Sequence, residues 1–275
     1  VFGTRTIVTR ALTIYGGLDL NADTIVIINA MSVKPDRARA IVLNNLVLSL
    51  KAGSNNWSKL DYLPLLASHN RETAKINIIS PSENLITEIG TGANTPLFEI
   101  DRGFTAATSM SGLDSNWSAV THGVNFTQDS HSFGVYLRTN LDNTRTDIGY
   151  YKSTATLNRT LMQARNGGVM SVYSANNTNA TKTNPNTLGL HSLVRTSSTS
   201  IDFVKNGVSL GTSANTSVSL QDFNFYICAL NALNVIGGGS LRQTAIAYMG
   251  SGTVDQVELA ASLKAYLDAI GGSVV

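Results

Sequence analysis

The stretch from Asp222 to Gly271 sets the tightest limit on the fold. Phe223, Phe225, Ile227 and Ala229 fall on one face of an alternating run, which predicts a strand with one buried side. Ala229-Leu-Asn follows, then Gly237-Gly238-Gly239 reads as a flexible connection and Arg242 to Met249 as a second strand. A closing helix is expected from about Asp255 to Ile270, with Thr253 as its N-cap. Val254, Val257, Leu259, Ala260, Leu263, Tyr266, Leu267 and Ile270 form an apolar stripe along it, while Lys264 faces outward. Such a stripe is costly in water, so the helix should cap an antiparallel β-domain. That arrangement leaves no obvious place for chemistry.

The opening third of the chain reads differently. After an extended start, Asn21 or Asp23 can cap a short helix carrying Ile25, Val26, Ile28 and Met31. A second helix should begin at Pro35-Asp36 and stop at Gly53, with Ala38, Ile41, Val42, Leu46, Val47 and Leu50 at helical spacing. The segment from Trp57 to Ala67 is apolar enough to pack on these two, although Pro64 must kink or divide it. The expected division is an extended segment and helical anchoring module over 1–80, followed by a sandwich with a C-terminal helix over 81–275.

From about Leu97 onward, short alternating runs are separated by Asn, Gly, Ser and Thr. Phe133, Val135 and Leu137 share one face of a strand, with Ser132, Gly134, Tyr136 and Arg138 on the other, the pattern of a half-buried antiparallel sheet. Ile201-Asp-Phe-Val-Lys, Asn206-Gly207 and Val208-Ser-Leu predict a hairpin whose primed turn needs positive φ. Many short strands at this spacing predict a mainly β sandwich.

Composition narrows the function classes. A formal charge of +2, with Lys and Arg scattered, gives no footprint for nucleic acid. No apolar run reaches the ~18 residues of a bilayer span, and no basic-then-apolar leader opens the chain, so neither membrane insertion nor a signal peptide is expected. Val1 stands where a methionine would start a chain, which suggests processing or a larger protein. The one cysteine, Cys228, lies in a strand pattern and reads as a buried thiol. His69, His122, His131 and His191 share no metal-ligand spacing, and the glycine triplet precedes a strand, unlike a phosphate loop. No metal and no cofactor is expected. Seven Asn-x-Ser/Thr sequences, at Asn56, Asn116, Asn125, Asn158, Asn176, Asn179 and Asn215, read as polar loop composition.

Four runs carry a family resemblance: Phe225-Tyr-Ile-Cys-Ala-Leu-Asn-Ala, Leu241-Arg-Gln-Thr-Ala-Ile-Ala-Tyr-Met-Gly-Ser-Gly, Val254-Asp-Gln-Val-Glu-Leu-Ala and Leu263-Lys-Ala-Tyr-Leu-Asp-Ala-Ile-Gly. They resemble the C-terminal ends of bacteriophage virion proteins built on a concanavalin-like, laminin-G-like lectin sandwich. The likeness extends in order over about 35 to 271. Trp57-Ser-Lys-Leu-Asp-Tyr-Leu, with Ala67, Asn77 and Pro81, is similar to the helical lead-in. Phe98-Glu-Ile-Asp-Arg-Gly-Phe-Thr, Leu113-Asp-Ser-Asn-Trp, Gly134-Val-Tyr-Leu-Arg-Thr-Asn and Gly189-Leu-His-Ser-Leu-Val-Arg-Thr are similar to successive strands. The resemblance implies an antiparallel concanavalin-like jelly roll, a place in the virion on capsid or tail, other virion proteins and copies of itself as partners, and contact with a host surface glycan.

Concanavalin-like glycoside hydrolases place two carboxylates on alternate residues of one strand, followed by a further acid. Glu99 and Asp101 have that spacing, but Arg102-Gly103-Phe104 stands where the further acid would be. The expectation is therefore no catalytic residue and no enzyme. For sugar binding, aromatic faces and paired amide groups nominate Trp117, Asn143, Arg145, Tyr150 and Tyr151. A polysaccharide-degrading enzyme of the same fold and a cellular adhesion lectin are the competing readings.

Overall fold

The computed structural model describes residues 17–152 and 158–274. The extended start lies outside the described residues up to 16. Three α-helices occur among them: α1 (Ala22–Ala30), α2 (Arg37–Lys51) and α3 (Gln256–Ala269). The strands, in chain order, are β1 (Leu60–Tyr62), β2 (Thr87–Ile89), β3 (Leu97–Glu99), β4 (Gly103–Thr105), β5 (Gly112–Asp114), β6 (His131–Leu137), β7 (Ile148–Lys152), β8 (Asn158–Asn166) and β9 (Val169–Asn176). They continue with β10 (Ala180–Thr183), β11 (Gly189–Arg195), β12 (Ser200–Lys205), β13 (Val208–Ala214), β14 (Tyr226–Ile227), β15 (Ala229–Ala232), β16 (Val235–Gly239) and β17 (Thr244–Gly250).

Two sheets stack as the expected sandwich. One runs β13-β12-β11-β6-β17-β4-β3, with β1 also paired to β17; the other runs β10-β9-β8-β7-β14-β5-β2, with β15 joined to β7 and β16. Pairing is antiparallel except between β7 and β15. The hairpin at Asn206-Gly207 forms as its residues require, with φ of 50° and 80°.

Alternation along β6 divides its side chains between two cores. Phe133, Val135 and Leu137 enter the inter-sheet core with Phe203, Phe225, Ile227 and Met249. Tyr136 points the other way, into a second core with Ile246 and Tyr248 of β17. There the helices cover the sheet through Leu43, Val47 and Leu50 of α2 and Leu259, Leu263 and Leu267 of α3. This corrects the half-buried expectation: all seven residues of β6 are buried, because the outer face of this sheet is roofed by helices.

Several local expectations shift for identifiable reasons. The segment after Trp57 forms a 3-10 turn and then β1. From there it alternates between cores, Tyr62 and Leu66 facing one and Leu60, Leu63 and Leu65 the other. In α2 the buried stripe is Ala40, Leu43, Leu46, Val47 and Leu50, leaving Ala38 and Ile41 exposed. In α1, Ile27 and Ile28 are buried while Val26 faces out. Asn21 caps α1, and Asp36 caps α2 by accepting from the Arg39 amide. Asp255, not Thr253, caps α3, its carboxylate accepting from the amides of Val257 and Glu258. Val257 falls off that helix's buried stripe. The run from Phe223 to Ala229 breaks at Cys228, whose φ of 58° ends β14 and starts β15. Gly237-Gly238-Gly239 is the end of β16, not a free connection.

Candidate functional site

The outer face of the nine-stranded sheet is built by the rows that alternation turns away from the core. Met162 and Ala164 of β8 and Met170 and Val172 of β9 point inward, so Arg159, Leu161, Gln163 and Arg165 of β8 and Val169, Ser171 and Tyr173 of β9 face outward. In β7, Ile148 and Tyr150 point in, and Gly149 and Tyr151 point out. Tyr151 stands directly opposite Arg159, and Leu161 stands opposite both Gly149 and Tyr173.

These rows bring two aromatic rings and a cation together. The Arg159 guanidinium carbon lies 5.5 Å from the centre of the Tyr151 ring and 4.8 Å from that of Tyr173. All three side chains are half-buried, while Leu161 beneath them is only 4% exposed. At Gly149 the backbone passes so close to β8 that a Cβ would collide with Leu161, and its positive φ of 138° suits glycine alone. The result is an aromatic and apolar platform with one guanidinium held in it.

The sequence-nominated residues do not converge. Tyr151 belongs to this platform. Tyr150, its neighbour, turns into the core, edge-on to Phe225 at 5.0 Å, with its hydroxyl accepting from the Gln221 amide. Burial raises that hydroxyl's pKa. Trp117 is 1% exposed and sits among Tyr62, Phe126 and Phe225. Asn143 and Arg145 lie on the loop before β7, tied to β8 at Arg165 through the Asn143 amide. Arg165 is six residues from Arg159, roughly 20 Å along a strand at ~3.3 Å per residue. Arg242 fixes that loop from below, donating to the carbonyls of Leu141 and Asn143 and pairing with Asp147 at 2.6 Å, both charges fully buried. Sequence reasoning missed Arg159 and Tyr173. The signal was the period-two row opposite Met170 and Val172, but it becomes a site only once β7, β8 and β9 are in register.

The carboxylates, histidines and cysteine that chemistry could use are engaged in structure as follows. Glu99 ends β3 and pairs with Arg102 at 2.8 Å, whereas Asp101 sits in a turn at φ 61° and pairs with Arg39 at 2.6 Å. The two are thus not alternate residues of one strand. His131 stacks on Phe126 at 4.4 Å and bonds Ser174, and burial pushes its pKa down to about 3. His191 meets Asn184, and burial lowers it to about 4. Burial likewise pushes the Cys228 thiol up to about 12, the condition of an unreactive thiol. Ser118, His122 and Asp222 are close, yet the Ser118 hydroxyl donates directly to Asp222 while His122 Nδ1 accepts from the Ser118 amide, so no serine–histidine relay forms. His122, Glu83, Asn84, Asn125 and Trp117 line a cleft of about 400 Å³. Its rim is held by Asp61, which accepts from the amides of Val124, Asn125 and Phe126. Among the described residues no cluster of three or more His, Cys, Asp or Glu could hold a metal, and no helix is long and apolar enough to cross a membrane.

No family model and no curated protein matches the chain. Solved structures similar to it include a mutant Trypanosoma rangeli sialidase displaying trans-sialidase activity, at 11% identity and TM-score 0.52, covering 86% of this chain and 40% of that one. Domain 4 of a GH43 extracellular arabinanase from Geobacillus stearothermophilus, in complex with arabinotriose, is similar at 14% identity and TM-score 0.45, covering 74% and 98%. A GH54 α-L-arabinofuranosidase is similar at 11% identity and TM-score 0.43, covering 69% and 50%. The chain spans about 40% of the length of the sialidase. At such identities the likeness shows the fold, a two-sheet sandwich. It also overturns the expectation that the chain is not an enzyme: a sialidase contains this sandwich, so neither the helical cap nor the missing further acid after Glu99 and Asp101 is ground for that exclusion. The fold the chain carries is one that occurs in carbohydrate-active proteins.

Proposed function

We propose that the chain is a carbohydrate-binding β-sandwich whose contact surface is the outer face of the nine-stranded sheet. The observation that carries this reading is the Tyr151–Arg159–Tyr173 row on a sheet face that no described helix covers. Aromatic faces pack against the apolar face of a pyranose, and a guanidinium supplies donors to its oxygens. The occurrence of the sandwich within a sialidase supports a carbohydrate setting. The sequence resemblance to phage virion proteins favours a particle as that setting, where other virion proteins and further copies of the chain would multiply a weak contact by avidity.

A glycan array with the full chain tests the reading, with Tyr151→Ala and Tyr173→Ala alongside. Binding by the parent and its loss in both variants, at unchanged melting temperature, is the expected result. Undiminished binding by both variants would refute the assigned face. Release of reducing ends from each bound glycan should be measured in the same samples, since the fold is shared with a sialidase.

A further inference from the structure

We infer that the platform selects glycans bearing a carboxylate, and that Arg159 is the residue reading the acid group; this rests on the carbohydrate-binding reading above. Among the described residues, five other arginines are paired with acids and Arg138 donates to the side-chain oxygen of Gln243. Arg39 pairs with Asp101, Arg71 with Glu88, Arg102 with Glu99, Arg165 with Asp142 and Arg242 with Asp147. Arg195, fully buried without an acid, donates to carbonyl and amide oxygens of Ser174, Ser197 and Asn215. Arg159 has no carboxylate and no hydrogen-bond acceptor among the described residues, and its Nε is hidden from solvent without a partner.

The surroundings offer no substitute. The outward rows of β7, β8 and β9 hold no Asp or Glu, and neither do residues 1–16, 153–157 or 275. Two tyrosine rings hold the guanidinium, which fixes its plane in advance and lowers the entropy cost of engaging a ligand. A planar fork of N–H donors matches a carboxylate by two parallel hydrogen bonds, a geometry that a neutral hydroxyl cannot reproduce. Stacking on the tyrosines and pairing with the acid would then act on one sugar ring together.

The test measures binding of the full chain to uronate and sialyl oligosaccharides, each beside its carboxyl-reduced form and a sulfated neutral oligosaccharide. Carboxyl reduction should weaken binding roughly tenfold or more. Arg159→Gln should bind the acidic probes no better than the reduced ones, and Arg159→Lys should recover only part of the difference, with all melting temperatures alike. Equal affinity for acidic and reduced forms, or an Arg159→Gln variant that keeps the preference, overturns the inference while leaving the carbohydrate-binding reading intact. A sulfated probe favoured over the carboxylates also overturns it. Absence of binding to every acidic and neutral probe overturns both.

Discussion

The outer faces of the two sheets have opposite fates. On the eight-stranded sheet, Tyr136, Ile246 and Tyr248 are sealed beneath α2 and α3, so that face is spent on stability. On the nine-stranded sheet, Tyr151, Arg159 and Tyr173 remain half-open, and their ring and guanidinium groups are held by one another. One sandwich therefore carries a packing face and a presenting face. The difference lies in what the outward rows contain: aliphatic and tyrosine side chains that need a roof, or aromatics flanking a cation that can meet water.

Substitutions on the two faces should separate stability from binding. Leu263, fully buried on the inner face of α3, should be the most sensitive: Leu263→Asp places a charge in the second core and should cost more than about 3 kcal/mol. Lys264→Ala, which removes an exposed pair with Asp268, should leave the melt unchanged. Equal melting points for these two variants would break the comparison, because the helix would then not be a roof.

Acid should act next, and from inside the sandwich. His131 and His191 are neutral in the folded protein and held well below the ordinary value of 6.5, at about 3 and about 4. The unfolded chain binds the extra protons first, so stability is complete above about pH 6.5 and falls as pH drops toward 4. Each histidine contributes a slope of about 1.4 kcal/mol per pH unit in that window. Denaturant melts from pH 7 to 4 should show the fall, and replacing His131 with Gln should flatten it. Smaller still, Asp255→Ala removes the cap of α3 and should cost about 1 kcal/mol by thermal melting. Least of all, Tyr173→Ser on the presenting face should shift stability by well under the cost of Leu263→Asp, since its ring is only partly buried.

The core was more legible in the sequence than the site. Phe133, Val135 and Leu137 announce an inward row because a strand's period is two, and Asn206-Gly207 announces its turn because few residues accept positive φ. The α3 half of the roof over Tyr136 was legible from its apolar stripe, but its completion by α2 was not, since that joins residues 37–51 to residues 256–269 across the chain. Of the five nominated ligand residues, Trp117 and Tyr150 are drawn into the aromatic core, where burial of a large ring stabilises the fold. Asn143 and Arg145 follow the loop that Arg242 anchors. Arg159 and Tyr173 come from different strands, so their meeting is a fact of register and not of any local motif.

Amide chemical-shift mapping tests the central claim most directly. A bound oligosaccharide from the array should perturb residues 149–152, 159–163 and 171–175, the three strands under Tyr151, Arg159 and Tyr173, and spare α2 and α3. Perturbations gathered instead around the cleft of Asp61, His122 and Asn125, or over the helical roof, would contradict the assignment of the presenting face.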